Sequence, residues 1–360
     1  MRKLFPMFSL VIVAGILLAA CAPAAPTEAP TTAETPAADP EGYGTILARV
    51  KARGNVVCGV HNELLGFGYL DANGRNVGFD IDLCRAVAAA VLGDPDAIEP
   101  VTITAADRGP VLQTAEVDLV PRNMTWTSKR DAEWGNFTWI MFYDGQGFLV
   151  RAADGIQTLE DMDGAAICVT TGTTTERNLA AALADAGVTY EAVTFEETSA
   201  VYGAYEEGRC DIATSDKSQL AATRAGFQNP DEHIILDMTI SKEPLTPAVP
   251  TGDDQWFDIV KTVMWALINA EEYGITSANV EEMKSSENAD VRMLLGAEGD
   301  WGNAQIGLDA DALARAITAV GNYGEIYDRY FGEGGLAFVL PRGLNELWTN
   351  GGLIYAPPVK

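Results

Sequence analysis

Histidine is almost missing from this chain: His61 and His233 are the two in 360 residues. No pair of cysteines stands at C-x-x-C spacing, so the usual zinc ligand sets are not on offer. Cations are scarce as well, with 24 Lys and Arg against 51 Asp and Glu and a formal net charge of −27. That balance excludes a nucleic-acid-binding role and a polybasic grip on anionic lipid. No apolar run reaches the roughly 20 residues that a membrane span needs. The apolar stretch at residues 8–18 stops too soon.

What that stretch offers instead is an export signal. Arg2 and Lys3 give it a positive start, and Leu18-Ala19-Ala20-Cys21 a small-residue end. Cysteine directly after Leu-Ala-Ala resembles the lipobox of bacterial lipoproteins, which predicts a signal peptide over 1–20 and Cys21 as the lipidated first residue. Residues 21–43 are dominated by Ala, Pro, Thr and acids. They bury too little apolar surface to fold and read as a tether. The expected setting is extracytoplasmic, lipid-anchored to the cell membrane, with a monomeric body.

An exported protein meets an oxidising compartment, so the remaining Cys58, Cys84, Cys168 and Cys210 are expected to pair. Four cysteines allow three connectivities. The positions fall as two near pairs, and Cys58–Cys84 with Cys168–Cys210 is chosen because a bridge between lobes would restrain a hinge.

From about Thr45 the pattern alternates strand and helix. Strands are expected at 56–60, 101–104 and 117–121, and helices at 79–93 and 110–117, followed by a helical turn at 128–134. Two strands across Asp144-Gly145 end the first half. The order then restarts, with strands at 165–171, 190–195 and 210–215 and helices at 175–187 and 199–208. Alternation of this kind predicts α/β sheets covered by helices. An apparent return at 243–250 suggests two lobes joined by two crossing segments. The expected division is lobe 1 over 44–148, lobe 2 over 149–246, and a return to lobe 1 with a helical tail over 247–360.

Ligands of open α/β sheets bind at the carboxyl ends of strands. Three polar segments fall there: PRNMTWTSKRD (121–131), CVTTGTTTERN (168–178) and TSDKS (214–218). The threonine loop lacks the second glycine and lysine of a phosphate loop, and the serine of a nucleophile elbow. It remains a helix start whose free N–H groups suit a carboxylate, or a simple N-cap. Arg130 can fork onto a carboxylate, or pair with Asp131 at the surface. Asp216 can receive an ammonium, or cap a helix. Taken together they fit a zwitterion, and an α-amino acid has that charge layout.

The ordered motifs GFDIDLCRAVAAAVLGDP, EVDLVPRNMTWTSKRD, CVTTGTTTERNLA, GRCDIATSDKSQL, SKEPLTPAV, GDDQWFDIV and VGNYGEIYDR resemble the general L-amino-acid-binding proteins of ABC importers. The likeness runs from about residue 46 to the end. It implies a two-lobe type II periplasmic-binding-protein fold, no catalysis, no cofactor, and delivery of the ligand to a membrane permease. It also implies cysteines paired within each lobe.

By that resemblance Arg130 binds the α-carboxylate, assisted by Thr174 and the adjoining Gly172 and Thr173. Thr125 and Asn123 meet the α-groups, Asp216 takes the ammonium, and Phe67 forms an apolar wall. One departure stands out. Where the family has a large apolar residue before proline, this chain has Gly109, which widens the pocket or lets a neighbour such as Trp126 fill it. The alternative readings are an amino-acid sensor subunit and a periplasmic dehydratase, the latter needing a positioned acid such as Glu63.

Overall fold

Every residue of the strand Val56–Val60 is buried, as an unbroken apolar run requires when a sheet is covered on both faces. A computed structural model describes residues 44–359. The expected signal peptide, Cys21 and the tether lie outside the described residues. Val56–Val60 pairs in parallel with Ile98–Thr102, and bridges from Cys58 to Leu119 and from Val120 to Ala248 widen that sheet.

Two expectations shift here. The second strand starts earlier, at Ile98, and the strand over 117–121 is reduced to bridges. Pro121 cannot donate to a ladder, and Asn123 turns into the left-handed region at φ 29°. The helix expected over 110–117 is Arg108–Gln113 instead. Helix Phe79–Leu92 keeps Asp80 and Asp82 in its first turn and ends at a left-handed Gly93.

The second sheet has five strands, in the order Tyr190–Phe195, Ala165–Thr170, Ile212–Asp216, Gln146–Arg151 and His233–Ile235. Tyr190–Phe195, Ala165–Thr170 and Ile212–Asp216 run parallel, whereas Gln146–Arg151 and His233–Ile235 are antiparallel to their neighbours. Alternation sorts its side chains. Leu149, Cys168 and Ala213 join one core, and Phe148, Val150, Ile167 and Ile212 join the core on the opposite face.

Between the two sheets the chain crosses twice, and the crossing segments Phe142–Asp144 and Glu243–Leu245 pair antiparallel. Two α/β sheets joined by two crossing strands are thus present, as the alternating pattern predicts. After the second crossing comes the long helix Asp254–Glu272, capped by the Asp253 side chain. Helices Ala312–Val320 and Tyr323–Phe331 then return to pack near it and Phe79–Leu92. The tail also reaches the crossing: the Asn345 side chain accepts from Tyr143 N at 2.6 Å and donates to Tyr143 O at 3.1 Å.

Both disulfides form as paired from the sequence. Cys58–Cys84 ties strand to helix in the first sheet's layer, with Cα atoms 6.5 Å apart. Cys168–Cys210 lies within the second sheet's layer at 5.7 Å. They close separations of 26 and 42 residues, for which chain entropy gives about 3–4 kcal/mol each. Reduction is therefore expected to lower the melting temperature measured by calorimetry. An unchanged melting temperature on full reduction would remove the bridges from the stability of the fold.

Candidate functional site

At the carboxyl end of the second sheet, the chain turns sharply into helix Thr174–Ala186. Gly172 takes φ 73°, a left-handed conformation that suits glycine. Thr173 is the N-cap: its hydroxyl accepts from Glu176 N at 3.1 Å and donates to Thr170 O at 2.6 Å. The Glu176 carboxylate reaches back to Gly172 N at 2.9 Å. Gly172 N and the Thr173 hydroxyl are thereby spent on the turn itself. The Thr174 hydroxyl is not. It points across to the Thr125 hydroxyl, 3.3 Å away.

Facing this loop is the segment after the first sheet. Asn123 gives its backbone N–H to Asp80 Oδ2 at 2.8 Å and its amide to Gln219 Oε1 at 3.1 Å. Gln219 belongs to helix Lys217–Ala225 of the second sheet's layer, so Asn123 and Thr125 both touch the opposite side. Arg130 sits on the short helix Ser128–Glu133, whose cap Thr127 accepts from Arg130 N. Its Nη1 donates to Thr125 O at 3.0 Å, while Nε and Nη2 are buried without a partner. Burial, reinforced by Arg108 and Arg177, pushes its guanidinium well below an arginine's ordinary value. An arginine keeps its charge in a protein, so the direction expresses a buried cation in want of an anion.

Asp216 ends the strand Ile212–Asp216. It occupies the N-cap position of the next helix without bonding it, and its Oδ1 is buried and unpartnered. Burial and the like charges of Asp144 and Glu243 push its carboxyl well above the usual carboxylate range. Asp144, chiefly through burial, is pushed up to about 6.

Between these groups lies a cavity of about 30 Å³, room for a water or two. Asn123, Thr125, Thr173, Thr174 and Asp216 line it. Arg130 is not among the lining side chains and stands behind Thr125, to whose carbonyl it donates.

Glu243, unmarked in the sequence except as part of SKEPLTPAV, is central. It is 1% exposed. Its carboxylate accepts from the Thr174 hydroxyl at 2.9 Å, Asn178 Nδ2 at 2.8 Å and the Thr125 hydroxyl. One carboxylate on a crossing strand therefore fastens both sides of the cavity. An acid before proline in a return segment looks like a surface residue, so the sequence carries no local signal for it. Arg108, Arg122 and Gln219, which also line the cavity, were equally unmarked.

Two expected wall residues lie elsewhere. Phe67 is core: its ring is 5.0 Å from Phe331 and 5.2 Å from Phe142, in an aromatic cluster that holds helix Phe79–Leu92. Trp126 stacks on Phe137 at 6.1 Å with planes 5° apart, and does not fill the room left at Gly109. Trp134 does. A Cβ on Gly109 would stand 2.8 Å from three atoms of the Trp134 ring. The same ring carries the Arg130 guanidinium at 4.7 Å, a cation–π contact that fixes the fork from behind. Glu63 is exposed and is absent from the cavity lining.

A family model described as bacterial extracellular solute-binding proteins, family 3, matches residues 56–279. The general L-amino acid-binding periplasmic protein AapJ of Rhizobium johnstonii is 50% identical over 318 residues, 88% of this chain and 93% of that protein. The glutamate/glutamine/aspartate/asparagine-binding protein BztA of Rhodobacter capsulatus is 48% identical over 316 residues, 87% of this chain and 93% of that one. Among solved structures, an ABC transporter periplasmic binding protein from Brucella ovis with glutathione bound superposes with a TM-score of 0.84. It is 46% identical and covers 87% of this chain and 99% of its own.

The packing of Trp134 on Gly109 is open to test. Gly109→Ala is expected to displace the ring, lowering the melting temperature and loosening Arg130. Gly203→Ala, in a helix with nothing within 4 Å of the added carbon, is expected to leave the melt unchanged or raise it slightly. Equal melts for the two variants would show that Trp134 has no need of the glycine.

Proposed function

The chain belongs to family 3 of the bacterial extracellular solute-binding proteins, and from that premise we propose that it is the amino-acid receptor of an ABC importer. One observation carries the reading. Among the buried atoms left without partners around the site are two donors on Arg130 and two acceptors, Asp216 Oδ1 and Asn123 Oδ1. A buried polar group without a partner is costly. A ligand bearing a carboxylate and an ammonium a carbon apart would satisfy both sets.

In this reading the α-carboxylate takes the free Nε–H and Nη2–H of Arg130, with the Thr174 end of its helix adding a partial positive charge. The ammonium donates to Asp216 and Asn123. Thr125 and the backbone around Gly172 and Thr173 shape the floor between them. A cavity with room for a water or two cannot admit an amino acid as it stands. The Thr125–Thr174 contact and the Asn123–Gln219 bond must part first, with the two sides rocking about the paired crossing strands. Glu243 re-engages both sides on closure.

The relatives fit this chemistry. AapJ is named for general L-amino acids and BztA for four acidic and amide amino acids. Glutathione, bound to the Brucella neighbour, ends in the same α-ammonium and α-carboxylate pair. The groups present hold and orient a ligand. Release to a membrane permease, and anchoring by a lipid on Cys21 through the 21–43 tether, complete the proposal. Among the described residues no helix is long and apolar enough to cross a membrane.

Proton linkage tests the ammonium site. Asp216 is raised in the empty protein, and an arriving ammonium favours its ionised form. Uptake by a partly protonated site therefore releases a proton, and affinity weakens as pH falls. Calorimetric titration from roughly pH 8 to roughly pH 5 is expected to show a loss approaching tenfold per unit for one linked proton. Asp216→Asn is expected to bind weakly with a shallower profile. A wild-type affinity independent of pH would take Asp216 out of the site. Separately, metabolic labelling with a lipid probe is expected to mark the wild-type protein but not Cys21→Ala. Equal labelling of both would dismiss the anchor.

A further inference from the structure

Burial and pairing of the arginines run opposite to expectation. A buried charge ordinarily needs a partner, whereas a surface charge does not. Here nine of the described arginines, among them Arg49, Arg75, Arg315 and Arg342, lie within 4 Å of a carboxylate. The three most buried are Arg108 at 4% exposure, Arg122 at 5% and Arg130 at 2%. None of these three forms an ion pair among the described residues, and each guanidinium makes one hydrogen bond, to a main-chain carbonyl.

Arg130 is accounted for by the α-carboxylate. Arg108 and Arg122 are not. Both line the same cavity. Each anchors its Nε, Arg108 to Ala105 O at 2.9 Å and Arg122 to Ile103 O at 2.8 Å. That bond fixes the guanidinium plane and leaves the two terminal nitrogens of each uncommitted.

Of the acids near these two arginines, Asp216 bears on Arg108 but is given to the ammonium in the amino-acid reading, and the others are engaged elsewhere. Asp80 holds Asn123 N, and burial pushes it up to about 7, so it is an incomplete counter-charge at neutral pH. Asp107 is held by Thr104, and Glu243 by Thr125, Thr174 and Asn178. Glu197 also bears on Arg122 without coming within ion-pair distance of it. His61, beside the same two arginines, is held neutral by burial and by their charge. Its Nδ1 accepts from Glu63 N, so the proton sits on Nε2, a further buried donor without a partner. A zwitterion adds no net charge to the cavity. The surplus on this side calls for a second anion.

We propose that Arg108 and Arg122 form a second anion-binding subsite in the cavity, which reads a carboxylate on the ligand's side chain. Resting on the amino-acid reading above, this narrows the ligand class to α-amino acids that carry a second carboxylate. Guanidinium donors meet both oxygens of a carboxylate. An amide offers them one acceptor and one NH₂ that finds only donors, and such mismatches are what sites discriminate against.

The test is calorimetric titration of the full chain with L-glutamate, L-aspartate, L-glutamine, L-asparagine and L-alanine. The acids are expected to bind at least about tenfold tighter than their amides, the size of one charge-assisted hydrogen bond. Arg108→Gln and Arg122→Gln are expected to bring the glutamate-to-glutamine ratio close to one. If the wild type holds amides as tightly as acids, the subsite is overturned while the receptor reading stands. If no amino acid binds, the receptor reading itself falls and takes the subsite with it. The wild-type ratio decides even if a variant fails to fold. Arg122→Lys, which keeps charge but loses the planar fork, is then expected to reduce the ratio without abolishing it.

Discussion

Charge buried without a partner is the constraint around which this structure is arranged. Arg130 and Asp216 are each held deep in the protein with polar atoms unmet, Asp216 in the lining of one narrow cavity and Arg130 behind its Thr125. Leaving such groups unsatisfied is among the more expensive things a fold can do. They stay ionisable and fixed because their surroundings are over-determined. Trp134 backs Arg130, the ladder to Gln146 holds Asp216, and the capped threonine turn leaves little freedom between them.

Rigidity within each wall and weakness between them follow from where the bonds lie. Within each sheet's layer there are ladders, helices and one disulfide. Across the cavity there are the Thr125–Thr174 and Asn123–Gln219 contacts and the shared carboxylate of Glu243. A few hydrogen bonds between hydroxyls and amides can be exchanged for bonds to a ligand at little net cost. The paired crossing strands, braced at Tyr143 by Asn345, are the continuous covalent path between the walls. A receptor that must both hold and release its cargo needs this separation of stiff and exchangeable parts.

Much of the fold was legible because its signals are local. The apolar alternation marks the strands of the second sheet, Gly187 and Gly93 close helices as their type requires, and near-neighbour spacing pairs the cysteines. Within CVTTGTTTERN the sequence left capping and ligand binding open, and the structure spends Thr173 and Glu176 on the cap while Thr174 faces across. Other features depend on which way a side chain points after packing. Trp126 and Trp134 are both tryptophans near the same segment. Only the helix Ser128–Glu133 and the missing side chain at Gly109 decide that Trp134 reaches the site. Phe67 joins the core because three other rings surround it. Glu243, Arg108 and Arg122 resemble surface charges in the sequence; Glu243 is buried among partners 65 to 118 residues away, and the two arginines against the cavity.

The zwitterion clamp is tested most directly by calorimetric titration with one amino acid in three forms: free, N-acetylated and as its α-amide. L-Glutamate serves, since its side chain is the same in all three. Removing the ammonium leaves Asp216 and Asn123 unmet, and amidating the α-carboxylate leaves Arg130 unmet. Binding is therefore expected for the free amino acid and lost for both blocked forms. Blocked glutamates that bind as tightly as free glutamate would contradict the clamp.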